Sequence, residues 1–62
     1  MTIDELRKII ERLDNRPGGG INYIAIFSDH SGHICENMYG KRLGDFNNPE
    51  EMMELVNELL ND

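Results

Sequence analysis

Ile21-Asn22-Tyr23-Ile24-Ala25-Ile26-Phe27-Ser28-Asp29-His30-Ser31-Gly32-His33-Ile34-Cys35-Glu36-Asn37-Met38-Tyr39 is the stretch that decides the fold. Residues 21–28 are rich in β-branched and aromatic side chains, which suit a pleated strand better than a helix. Asp29-His30-Ser31-Gly32 has the composition of a turn. Asp favours the first position of a type I turn, and Gly favours the left-handed fourth position of a bulged hairpin. Residues 33–39 then run back as a second strand. Pairing about that turn sets Ser28 near His33, Ile26 near Cys35 and Ile24 near Asn37. One face then carries Ile24, Ile26, Cys35 and Tyr39. The other carries Ile21, Tyr23, Ala25, Phe27, Ile34 and Met38, with Glu36 among them.

On the N-terminal side, Thr2-Ile3-Asp4-Glu5 reads as a capping box that opens a helix. Ile3, Leu6, Ile9, Ile10 and Leu13 recur at helical spacing and form its apolar stripe. Asn15 is expected to close the helix in a left-handed conformation, and Pro17 prevents its return. Residues 16–20 read as a permissive linker. A glycine run such as Gly18-Gly19-Gly20 cradles phosphate when a helix follows directly, but here a strand pattern follows.

On the C-terminal side, Gly40 and Gly44 bracket Lys41-Arg42-Leu43, a short segment that the pattern assigns to no element. Asn48-Pro49-Glu50-Glu51 opens a second helix: Asn caps it, Pro takes the first turn, and acids sit at the positive end of the dipole. Met52, Leu55, Val56, Leu59 and Leu60 make its stripe. The reading is therefore a single αββα domain over residues 1–62, of α+β class: an antiparallel β-hairpin with two helices packed on one face.

Such a hairpin has two open edges and a face that the helices leave bare. A chain of 62 residues has a core that supplies only about 3–5 kcal/mol. No intrachain disulfide can add to it, because Cys35 is the sole cysteine. These points predict completion by homodimerisation through Ile24, Ile26, Cys35 and Tyr39.

Asp29, His30, His33, Cys35 and Glu36 form the only cluster with metal-ligand chemistry. His33 and Cys35 share a strand face, but His30 sits in the turn and no second ligand pair lies elsewhere. The same His and Cys could serve nucleophilic catalysis only with an orienting group and a pocket, which a hairpin and two helices scarcely provide. Polar turn residues beside a small buried thiol are the simpler account. The expectation is a non-enzymatic protein with no cofactor and no metal, a metal-bridged dimer through His33 and Cys35 being a distant third reading.

Charge is the unusual feature. Residues 1–44 hold six acids and all six basic residues and sum to zero. Residues 45–62 hold Asp45, Glu50, Glu51, Glu54, Glu58 and Asp62 with no Lys or Arg, so the whole net charge of −6 lies there. Glu50, Glu54, Glu58 and Asp62 are spaced four apart and line one ridge of the last helix, advancing about 6 Å per step, on the scale of successive phosphates. Each such like-charge pair costs about 0.2–0.5 kcal/mol, and acids at the C-terminal end gain nothing from the dipole.

Direct nucleic-acid binding is excluded by this balance, since it requires clustered Lys and Arg. The expected partner is a basic protein surface, in its sharpest form one that binds nucleic acid, met by Glu50, Glu51, Glu54, Glu58 and Asp62. Very short, acidic, cysteine-poor domains without catalytic motifs resemble the small inhibitors that phages and mobile elements direct at host nucleic-acid machinery. The resemblance is one of composition and implies an inhibitor of viral type. The alternative is a homodimeric adaptor that works through the apolar hairpin face. Without a basic and apolar leader or a run of about 20 apolar residues, the expected location is cytoplasmic, with no membrane partner.

Overall fold

The computed structural model describes residues 2–61. Five elements follow in the order α1 (Ile3–Asp14), β1 (Tyr23–Ile26), β2 (Gly32–Cys35), β3 (Arg42–Phe46) and α2 (Pro49–Asn61). The strands form an antiparallel sheet in the order β1-β2-β3. The fold is α+β with the expected hairpin and two helices, and a third strand extends the sheet. α2 packs on β3, and α1 packs on α2.

The helices begin as their caps dictate. Thr2 Oγ1 accepts from the Glu5 N–H at 3.2 Å, and Asn48 Oδ1 accepts from the Glu51 N–H at 2.9 Å. The end of α1 differs from expectation. Asn15 is not left-handed (φ −96°); its side-chain amide donates to the Glu11 carbonyl instead, at 2.9 Å. The chain reverses at Gly18 and Gly19, whose φ values of 92° and 139° suit glycine alone. The linker is also tied down. Arg16 donates to the Gly19 carbonyl and, across the fold, to the Leu59 carbonyl, so a cation meets the negative end of α2.

Ile9 and Leu13 from α1, Ile21, Ile34 from β2, Phe46 from β3, and Met52 and Val56 from α2 make the core. Leu6, Leu55, Leu59 and Leu60 pack around it, as the stripes predict. Ile3, counted in the first stripe, is 83% exposed.

The hairpin register departs from the expected one. Tyr23 pairs with Cys35, Ile24 with Ile34, Ala25 with His33 and Ile26 with Gly32. Ile24 therefore shares its face with Ile34, which the sequence placed on the opposite one. The cause is the turn. It spans Phe27-Ser28-Asp29-His30, two residues earlier than expected: the His30 N–H donates to the Phe27 carbonyl at 3.0 Å, and the Phe27 N–H to the Ser31 carbonyl at 2.8 Å. The left-handed position falls on His30 (φ 70°), not on Gly32. Asp29 stabilises the turn by accepting from the Ser31 hydroxyl and N–H, at 2.6 and 3.1 Å, and these bonds hold its carboxyl below the usual carboxylate range.

Replacing His30 by Gly removes a left-handed penalty of about 1–2 kcal/mol and adds an entropic cost of about 0.5–1 kcal/mol. The variant is expected to gain about 0–1.5 kcal/mol, read as a higher melting temperature. A lower one would show that the imidazole's own contacts outweigh the strain.

β2 ends at Cys35, so residues 36–41 form a loop rather than the second half of a strand. Tyr39, expected on the hairpin face, lies in its turn and is 92% exposed. β3 returns with a bulge. Ile34 pairs with Gly44 and Cys35 with Arg42, leaving Leu43 as the extra residue, packed against the core.

Candidate functional site

Among the described residues, two depressions bear on function. The first lies between the start of α1, the hairpin turn and the start of α2, and is lined by Leu6, Ile26, His30, Phe46, Pro49 and Met52. Its volume of about 210 Å³ falls below the roughly 300–1,000 Å³ of small-molecule pockets, and its lining is mostly apolar. It suits a side chain better than a substrate.

The second is an acidic groove of about 230 Å³ between β3 and α2, lined by Asp45, Glu51, Glu54, Leu55 and Glu58. Its construction follows from the strand. Gly44 has no side chain, so Leu55 rests directly on β3; a β-carbon there would lie 2.8 Å from Leu55 Cδ1. That close approach brings Asp45 beside the helix. Helical spacing of three and four residues puts Glu51, Glu54 and Glu58 along the same side.

This groove re-sorts the expected ridge. Glu54 and Glu58 belong to it. Glu50 is exposed but does not line it, and Asp62 lies outside the described residues. Glu51 lines it while also fixing the helix start, since its Oε1 accepts from the Asn47 N–H and side-chain amide, both at 3.0 Å. Asp45, which the helical pattern did not single out, contributes from a different element. Its exposed side chain lies 3.3 Å from Arg42, an ion pair worth about 0–1 kcal/mol at such a surface position. Among the described residues, the other ion pair is Arg7 with Asp4, and none involves Glu50, Glu51, Glu54 or Glu58.

The remaining candidates are dispersed. By strand alternation Tyr23, Ala25, His33 and Cys35 lie on the sheet face away from the helices. Cys35 is buried as a free thiol but stands outside the core cluster. The His33 ring packs against Phe27 with centroids 5.8 Å apart. His30 lines the apolar depression instead, so the turn and strand do not bring the two imidazoles and the thiol together. Among the described residues, no group of three or more His, Cys, Asp or Glu side chains is placed to hold a metal ion. Of the four residues expected to mediate self-association, Ile24 is half-buried against the core, Ile26 is 43% exposed, Cys35 is buried and Tyr39 sits in the loop.

No protein-family model, curated protein or solved structure matches the chain. Among the described residues, no helix is long and apolar enough to cross a membrane.

Proposed function

We propose that this chain is a non-enzymatic binding module that presents Asp45, Glu51, Glu54 and Glu58, with Glu50 alongside, to a basic surface on another protein. In the sharpest form of the reading, that surface is one that binds nucleic acid, and the module acts as an inhibitor of the kind small viral proteins provide. The observation that carries this reading is the acidic groove, where carboxylates from two elements converge and α2 supplies no counter-charge. Like charges held together raise the free energy of the free protein, and a cationic surface relieves that cost on binding. Complementary charge of this kind contributes mainly to encounter rate and partner choice.

Capture from lysate on immobilised chain, with mass-spectrometric identification, tests the reading. The wild type is expected to retain a basic partner, to lose it with rising salt as exposed charges are screened within about 10 Å at 0.1 M, and to release it to added DNA or RNA. The double variant Glu54→Lys/Glu58→Lys is expected to fold and to retain none of that partner. Equal capture by both proteins would remove the acidic groove from the function. The adaptor reading draws on the exposure of Ile26 and Tyr39. It predicts capture that resists salt and fails in Ile26→Asp.

A further inference from the structure

The two edges of the sheet are not alike. β3 is guarded: it carries the exposed charges Arg42 and Asp45, is bent by the bulge at Leu43, and has α2 packed on it. β1 has none of these devices. It has no proline, no charge and no bulge against β2.

Its backbone phase is set by the turn. The Phe27 N–H bonds to the Ser31 carbonyl, so the hydrogen-bonded pairs of the ladder fall at Ala25 with His33 and Tyr23 with Cys35. The N–H and C=O groups of Ile24 and Ile26 therefore point away from β2, along the open edge. Exposed apolar surface gathers at the same end, with Ile26 43% and Phe27 55% exposed.

Charge says which partner fits. Residues 17–28 form the longest uncharged run in the chain and contain the whole of β1. In a protein of net charge −6, this is where a second copy approaches without setting acid against acid at the seam.

We propose that β1 pairs antiparallel with β1 of a second copy, joining two sheets into one of six strands closed by a two-fold axis. The outward groups of Ile24 and Ile26 restrict the register. Centred on Ala25, it sets Ile24 of each copy opposite Ile26 of the other, and Tyr23 opposite Phe27. Centring on Ile24 would place Ile26 against Asn22, and centring on Ile26 would place Asp29 against Tyr23. Only the Ala25-centred register covers both exposed residues with apolar neighbours and keeps charge out of the seam.

Sedimentation of the wild type across a concentration series, with hydrogen exchange on the same samples, tests the pairing. The expected mass is twice that of the 7.2 kDa chain, and the Ile24 and Ile26 amides are expected to become protected as the mass doubles. Salt is expected to strengthen this dimer, because it screens repulsion between two acidic chains. That is the opposite of its effect on the acidic groove, so either proposal can fail without the other. Ile26→Lys is expected to restore the single-chain mass with an unchanged far-ultraviolet dichroism spectrum. A wild type that stays at the mass of one chain overturns the pairing. So does a dimer whose Ile24 and Ile26 amides exchange freely, or one that survives Ile26→Lys. If that variant does not fold, the exchange pattern of the wild type decides alone.

Discussion

Gly32→Ala is expected to abolish cooperative folding. A β-carbon at Gly32 would overlap the carbonyl oxygen of Ala25 on the neighbouring strand, and would stand 2.8 Å from Cζ of Phe46. The oxygen is backbone and lies in the ladder between Ala25 and His33, so it cannot withdraw without opening the hairpin. Phe46 is a buried core residue, and turning its ring away would disturb its packing in the core cluster. Overpacking commonly costs about 1–3 kcal/mol. A clash that also breaks strand pairing belongs at or above the top of that range, close to the whole stability of so small a domain. Gly44→Ala is the informative contrast. Its nearest neighbours would all be atoms of the Leu55 side chain, Cδ1 and Cδ2 at 2.8 and 2.9 Å and Cγ at 3.4 Å, and that half-buried side chain can shift. That variant is expected to melt cooperatively at a lower temperature. A Gly32→Ala protein that melts within a few degrees of the parent would contradict the strand spacing described here.

Ile34→Ala is expected to cost nearly as much. Ile34 is fully buried on the central strand, between Ile24 and Gly44 in the sheet, and belongs to a core drawn from both helices and two strands. Truncating a buried Ile to Ala costs about 2–5 kcal/mol, depending on how far the site can collapse. Collapse is hindered here because both neighbouring strands are held by the ladder. Since the domain has about 3–5 kcal/mol in all, the variant is expected to be largely unfolded in buffer. Ile26→Ala, at a partly exposed position, is expected to change stability far less. Urea titrations of the two proteins side by side make the comparison, and equal midpoints would show that the hairpin register is not the one described.

What could be read in the sequence divides along physical lines. Both helices were legible because caps and periodic stripes are local signals. Thr2, Asn48 and Pro49 mark the starts, and Leu13, Met52 and Val56 recur on the buried side. The hairpin was legible as an element, but its register was not. Gly32 attracted the left-handed position that His30 occupies, because glycine normally takes it without strain, and the displaced turn exchanged faces along a whole strand. β3 was illegible because Gly44 weakens a strand pattern, while its reason for being glycine lies eleven residues ahead, at Leu55. The acidic character of α2 was plain from composition. The participation of Asp45 was not, since it depends on how closely a helix approaches a strand. The excess of acids begins at that residue, which was the one available hint.

The Arg16 contact with Leu59 couples the linker after α1 to the last turn of α2. Fraying of the last turn of α2 removes the carbonyl that Arg16 holds, and the same guanidinium also fastens the linker through Gly19. The glycine linker and the C-terminal turn are thus tied to one side chain, and Arg16→Ala is expected to speed amide exchange in both. A surface whose carboxylates run toward that turn has its local order set in part by a residue on the far side of the sequence.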